Sequence, residues 1–273
     1  TASLSTCKCI FSPLWPNFTL TNMTTIKKHQ EMILAVDSAL LRSQGIVYSE
    51  TPTFMPIDGY VDLGASDDAD GRYDFTAGLV LMQRNQLDNV IQEGNAFKGN
   101  RNFKQLLPYV VFVYPIQENP GDTKVAVYRR RAGVGESRLA GNLSIGFGGH
   151  IEISDVQHDE GVIDLPDTLM VAALREIEQE ITIVTQDGHG TAKPLLTYDD
   201  LRPVGLIVDG SNDVGNLHLG IVHVAYLSQG DVVTVNEPEL EALPATKLSE
   251  LLACGSPIES WSKLLAGELV KRL

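Results

Sequence analysis

Apolar and polar positions recur along this chain with different periods, and each period predicts a different element. From Thr168 to Ile181 there is no Pro or Gly, and Met170, Ala173, Leu174, Ile177 and Ile181 fall on one stripe at helical spacing. Tyr109–Tyr114 reads Tyr-Val-Val-Phe-Val-Tyr, which predicts a strand buried on both faces. The turn Asn119-Pro120-Gly121-Asp122 returns it as a second strand over Lys124–Tyr128. Leu201–Val208 and Leu217–Leu227 alternate as further strands. Upstream, Met32, Ile33, Val36, Leu40 and Leu41 predict an amphipathic helix from His29 to Ser43, stopped by Gly45. Ile46–Tyr48 and Phe75–Met82 are short β-like runs, and Leu87–Glu93 predicts a short helix ended near Gly94. Thr246–Ala253 and Ile258–Leu273 are helical in pattern, the latter with Trp261, Leu264, Leu265 and Leu269 on one face.

Strands on both sides of a central helix, followed by late helices, predict an α/β (α+β) protein, a mixed-sheet α/β/α sandwich. Residues 1–22 lack periodicity and precede a Met23-Thr-Thr-Ile-Lys-Lys start, so they are expected to be a leader or disordered segment. An N-terminal extension over 23–105, a core over 106–255 and a C-terminal helix over 256–273 complete the expected organisation.

Charge narrows the partners. Of 273 residues, 21 are basic and 35 acidic, a net of −14, which disfavours nonspecific nucleic-acid or anionic-membrane binding. No apolar run reaches the roughly 18–20 residues that span a membrane. Cys7, Cys9 and Cys254 are too few for a disulfide framework, so the expected compartment is the reducing cytoplasm. Arg129, Arg130, Arg131 and Arg138 stand out in so acidic a chain; they form either a soluble hairpin rim or a clamp for substrate phosphate. Asp67-Asp68-Ala69-Asp70-Gly71 reads as a solvated turn, since it lacks the full calcium-loop pattern. Gln186–Gly190 reads as another turn.

The central helix carries the candidate chemistry. Glu176 and Glu180 are four residues apart, one turn above each other, and repel unless a cation sits between them. Mg²⁺, with Mn²⁺ as a substitute, suits such an oxygen site. The pair Gly148-Gly149 precedes this helix at the end of a β-like run.

The order of glycine pair, acidic loop and Arg175-Glu176-Ile177-Glu178-Gln179-Glu180 resembles the Nudix box of the Nudix hydrolases. In that family a Gly is followed by five residues, a Glu, seven residues and Arg-Glu-apolar-x-Glu-Glu-x-Gly-apolar. Gly149 resembles the first Gly, and Arg175, Glu176, Ile177, Glu180 and Ile183 match the helix end. Likeness extends from about Tyr109 through Leu252, especially over Leu143–Ile151 and Asp209–Gly220, and there is similar to a branch of predicted Nudix phosphoesterases. The resemblance implies a Nudix sandwich in which Glu176, Glu180 and the Gly149 carbonyl hold divalent metal, while Arg175 orients the carboxylates. It further implies a metal-dependent pyrophosphohydrolase that cleaves a nucleoside diphosphate linked to another moiety, acting on a nucleotide or dinucleotide and compatible with a homodimer. A triphosphate-sanitising pyrophosphatase and a degenerate domain that binds a nucleotide or partner without turnover are the alternatives.

Three departures from the pattern bear on that choice. Gln179 stands where the family has Glu and offers an oxygen without charge. Thr182 replaces the Gly that closes the helix, so the chain is expected to leave it another way. With Asp167 in the slot of the first Glu, residues 150–166 form an acidic insertion, either a solvated excursion or a loop that serves the site. For the general base, Glu237, Glu239, Glu241, Asp209 and Asp213 are all candidates, whereas His218 and His223, five apart on a strand, face opposite sides.

Overall fold

One strand is too apolar on both sides to lie anywhere but the middle of a sheet. Val110, Val111, Phe112 and Val113 are all fully buried, and the rest of the chain is laid around them. The computed structural model describes residues 30–63, 72–88, 100–131, 141–185 and 196–273. The first elements are β1 (Met32–Asp37), α1 (Ser38–Ser43), β2 (Thr53–Pro56), β3 (Leu79–Gln83) and α2 (Arg84–Leu87). The long strand β4 (Phe103–Val113) follows, then β5 (Lys124–Arg130) and the two-residue strands β6 (Leu143–Ser144) and β7 (Gly146–Phe147). A small hairpin, β8 (Gln157–Asp159) and β9 (Val162–Asp164), leads into α3 (Leu165–Glu180) and β10 (Ile181–Thr185). The chain closes with β11 (Leu201–Val208), β12 (His218–Tyr226), β13 (Asp231–Val235), β14 (Leu240–Lys247), α4 (Leu248–Ala253) and α5 (Ser260–Arg272).

The main sheet runs β14-β5-β4-β12-β11-β2, with β1, β3, β6 and β7 joined to it. Its central pair β4–β12 is parallel, Tyr109 opposite Val222, and the other pairings are antiparallel. The free edge of β4 is shared in succession. Residues 103–105 pair with β1, Val110 and Val111 with β7, and Val113 with β5. Between the first two partners the edge opens, and the segment after β7 crosses there to β1, where the Leu34 amide donates to the Ile151 carbonyl at 2.9 Å. That opening positions the candidate site.

Helix α3 covers one face of the sheet through Leu165, Leu169, Met170, Ala172, Ala173 and Ile177. Helices α4 and α5 cover the other through Leu248, Leu251, Trp261, Leu265 and Leu269. The mixed-sheet α/β/α sandwich expected from the sequence is therefore present, and no helix among the described residues is long and apolar enough to cross a membrane.

Several local expectations change. The helix expected over His29–Ser43 begins only at Ser38, because Ile33, Leu34, Ala35 and Val36 are each fully buried as a strand between β3 and β4. A run apolar at every position satisfies a helical stripe and a two-sided strand alike, and here the sheet wins. Asp37 then caps α1 by accepting from the Ala39 amide at 2.5 Å. Ile46–Tyr48 belongs to no strand, and the β-like run from Phe75 opens with a 3₁₀ turn at Thr76–Gly78 before β3. Of the helix expected at Leu87–Glu93, Leu87 instead ends α2, Asp88 caps it, and the rest lies outside the described residues. Thr246 and Lys247 belong to β14 rather than α4. The 1–22 segment, the Asp67–Gly71 turn and the Gln186–Gly190 turn lie outside the described residues.

One buried histidine ties the sheet to a neighbouring loop. His223 on β12 is fully buried; its Nδ1 donates to the Ile221 carbonyl at 3.0 Å, and its Nε2 accepts from Tyr60 Oη at 2.8 Å. Burial lowers its pKa to about 4, with the Ile221 hydrogen bond opposing. Between about 4 and the ordinary 6.5 the unfolded chain takes up a proton that the fold refuses, so this stability is present above 6.5 and lost as pH falls. Urea unfolding followed from pH 7 to pH 4.5 should show an acid-linked loss on the order of 3 kcal/mol, and His223→Gln should flatten that part of the profile.

Candidate active site

The site is assembled where the edge of β4 opens. Gly148 follows β7 with φ +140°, and a Cβ there would lie 2.0 Å from the Pro108 carbonyl oxygen, so only glycine fits. At Gly149 a Cβ would stand 2.7 Å from the Glu176 carboxylate. These two glycines bring bare backbone against the acidic edge of α3.

Helix α3 starts cleanly. Asp164 accepts from the Asp167 amide at 3.0 Å, and Pro166 occupies the first turn, where its missing N–H is harmless. Its apolar stripe seats on the sheet, which carries Glu176 and Glu180 to the glycine loop. The Gly148 amide donates to Glu180 Oε2 at 2.9 Å. Glu180 is 7% exposed, and burial pushes its carboxyl up to about 8. The Gly148 hydrogen bond opposes that rise, while the Glu176 and Glu237 carboxylates add to it. Burial likewise raises Glu176, and Arg175 partly offsets it.

Arg175 organises the loop. Its Nε and Nη2 each lie 2.8 Å from one oxygen of Asp155, its Nη1 lies 2.8 Å from Glu176 Oε1, and Nη2 also donates to the His150 carbonyl at 2.8 Å. Glu152 stands 3.7 Å away. Burial alone would lower the Arg175 pKa, but the Asp155 hydrogen bond and the surrounding carboxylates raise it overall. Asp155 is 2% exposed and also accepts from the Glu152 amide at 2.8 Å, within a 3₁₀ turn at Ile153–Asp155.

This corrects the match made through Asp167, which is exposed in the first turn of α3. Asp155 follows Gly149 at the strict five-residue spacing and meets Arg175; the added length falls after it, as the β8–β9 hairpin. The hairpin turns at Glu160 and Gly161, φ 46° and 87°. The insertion is thus part solvated excursion and part support, since its first six residues supply the site's buried counter-ion.

The other expected residues are placed as follows. Gln179 is exposed, its Oε1 3.4 Å from Arg175 Nη1. Arg130 is half-buried and lies 3.3 Å from Tyr128 Oη, with its Nε buried and unpartnered among the described residues. Arg129 faces Glu241 at 3.8 Å, and the exposed Arg131 donates its amide to the Glu239 carbonyl at 2.8 Å. Arg138 lies outside the described residues. Asp209 is fully buried and saturated by Ser211, Asn212, Ser260 and Trp261, which makes it a tie between its loop and α5 and unfit as a base. Asp213 faces Arg101 at 3.4 Å. Of the base candidates, Glu237 is the one whose charge bears on Glu180.

Glu176, Glu180 and the Gly149 carbonyl are the donors that could hold a cation. Among the described residues no group of three or more His, Cys, Asp and Glu side chains is placed to hold a metal ion. The set nevertheless fits Mg²⁺, which keeps several waters and takes one or two carboxylates. A Glu180 carboxyl raised by burial, next to a second carboxylate, is the kind of ligand that a divalent ion relieves.

No protein-family model matches the chain. Protein YmaB of Bacillus subtilis (strain 168) is 34% identical over 188 residues, covering 68% of this chain and 80% of that protein. The crystal structure of Tm1382, called a Nudix hydrolase, superposes with a TM-score of 0.57 at 20% identity, over 89% of this chain and all of that one (100%). A Nudix hydrolase from Alicyclobacillus acidocaldarius gives a TM-score of 0.42 at 19% identity, over 62% of this chain and 91% of its own.

The lock on Arg175 can be measured. Asp155→Asn should cost about 3 kcal/mol in urea unfolding, because it strands a largely buried guanidinium. Asp167→Asn should cost at most ~1 kcal/mol, the worth of a first-turn carboxylate at a helix N-terminus.

Proposed function

The chain belongs to the family of protein YmaB and has the Nudix fold, and on that footing we propose that it is a divalent-metal-dependent pyrophosphohydrolase. Its substrate in this reading is a nucleoside diphosphate linked to another moiety. The observation that carries the proposal is the convergence of Glu176 and Glu180 on the Gly148–Gly149 backbone, with Arg175 locked to Asp155 beside them. Two carboxylates stacked on a helix and pressed against bare backbone serve little structural purpose, and they supply the oxygen ligands that phosphoric-anhydride chemistry requires.

Bound there, a divalent ion would neutralise the pyrophosphate and lower the pKa of an attacking water. The protein's own part is positional. Gly148 fixes one oxygen of Glu180 through its amide, and Arg175 fixes one oxygen of Glu176, leaving the remaining carboxylate oxygens directed by rigid partners. Among the described arginines of the basic run, Arg130 is the one whose charge bears on Glu180, which supports it as the contact for substrate phosphate. Glu237 is the candidate base, on the loop that also reaches the end of α3.

One observation favours a second reading, a domain that binds a nucleotide without turnover. Gln179 is neutral and exposed where the family pattern has a carboxylate, so the acidic helix offers two charges at this edge. Turnover separates the two. Purified protein should release nucleotide or phosphate from a panel of dinucleotides and triphosphates with Mg²⁺, and Glu180→Gln should nearly abolish that release. Inertness of the parent across the panel, with ligand binding retained in calorimetry, would establish the binding reading instead. Gln179→Glu then reports on the site: a large gain means that the missing charge limits it, and no gain means that the position lies outside the ligand set.

A further inference from the structure

A second group of nitrogen and oxygen donors begins at His150, the residue after the glycine pair. The Nε2 atoms of His150 and His218 are 3.3 Å apart, with ring centroids separated by 5.4 Å and tilted by 61°. His218 Nδ1 lies 2.6 Å from the Val214 carbonyl oxygen. A carbonyl only accepts, so Nδ1 carries a proton, and in the neutral ring it is Nε2, facing His150, that holds the lone pair. Both backbones are held: Arg175 donates to the His150 carbonyl at 2.8 Å, and Tyr48 Oη donates to the His218 carbonyl at 2.6 Å.

Gln105 is the register partner of His218 across β4–β12, so its side chain leaves the same face of the sheet. It is 1% exposed. Its amide nitrogen donates to Asp88 Oδ1 at 2.8 Å, which settles the orientation of the amide, and its Oε1 is buried with no hydrogen-bond partner among the described residues. A buried acceptor left in this state costs about 1–3 kcal/mol.

The spacing of the two imidazoles bears on which ion they could share. At 3.3 Å the pair sits at the long end of what a ring N–H bridges to a second ring nitrogen, so a shared proton and a shared ion both fit the separation. Two nitrogens bound tetrahedrally at ~2.0–2.1 Å from one ion stand about 3.3–3.4 Å apart. Square-planar ligands at similar bond lengths stand about 2.8–3.0 Å apart. Among ions, the 3.3 Å separation matches tetrahedral rather than square-planar ligation. A ligating histidine usually gives its other ring N–H to a backbone carbonyl, as His218 does to Val214. Imidazole nitrogen selects zinc-type ions, whereas the carboxylates of α3 suit Mg²⁺.

We propose that His150 and His218 form a second cation site, specific for Zn²⁺ and like ions and distinct from the Glu176–Glu180 site. Gln105 Oε1 is its third donor, and a water would complete the tetrahedron. The inference stands apart from the hydrolase reading, because it concerns binding and needs no turnover.

Co²⁺ reports tetrahedral nitrogen ligation by intense visible absorption, and octahedral oxygen ligation only weakly. The full chain, stripped with chelator and with Cys7, Cys9 and Cys254 changed to Ser to remove thiolate ligands, is titrated with Co²⁺ in excess Mg²⁺. One equivalent should develop the tetrahedral bands, and Zn²⁺ should displace them. His150→Asn and His218→Asn should each abolish the bands, whereas the Glu176→Gln/Glu180→Gln double variant should retain them. His150 is half-exposed, so His150→Asn is the deciding variant, with His150→Gln in its place should thermal melting show Asn to unfold the chain. Absence of the bands in the parent, their survival in a folded His150 variant, or their loss in a folded double Glu variant each overturns the proposal. Pyrophosphatase assays on the same variants report on the carboxylate site separately.

Discussion

A single guanidinium holds the candidate site together. Arg175 reaches a carboxylate from the segment before the hairpin, a carbonyl from the glycine loop and a carboxylate from its own helix, all at 2.8 Å. Arginine alone has the planar set of donors that can satisfy three such acceptors at once. Because Asp155 is almost wholly buried, the pair is worth little as attraction between free ions. It matters because either charge without the other would be stranded. The loop, the helix and the hairpin therefore keep one mutual geometry, and the placement of Glu176 follows from it.

The sheet supplies the space that this lock closes over. Strand β4 loses β1 and gains β7 along one edge, and the chain between them must pass close to Pro108. Side chains cannot follow that path, which is why the backbone there is bare and why carboxylates on α3 can approach it. The same passage turns Gly149 towards the carboxylates and sends the next ring, that of His150, towards β12.

Much of this was legible in the sequence, and the failures have physical causes. The stripe of α3, the two-sided strand at Tyr109–Tyr114 and the spacing of Glu176 and Glu180 all follow from periodicity. The segment Met32–Asp37 misled because an unbroken apolar run has no period, and burial against two neighbouring strands is invisible in one dimension. Asp155 was within reach, since five residues separate it from Gly149. A later acidic residue at the old distance from Arg175 drew the match away, because a hairpin had been added between the two. The pairing of His150 with His218 could not be read at all, because it joins a loop to a strand 68 positions later.

The end of α3 carries a further consequence. No glycine closes this helix. Ile181 turns extended at φ −138° and starts β10, while Asn236 donates to the carbonyls of Glu178 and Glu180 and accepts from Thr182. Helix ends ordinarily fray, and their amides exchange with solvent through small local openings. Here the last turn is sutured to β10, and β10 in turn is laddered to β13, Ile181 against Val235 and Ile183 against Val233. Glu180 therefore rides on a helix end that cannot loosen by itself. Its carboxylate leaves the glycine loop only when that two-stranded ribbon opens, which gives the site the slow exchange of a sheet rather than the rapid breathing of a terminus.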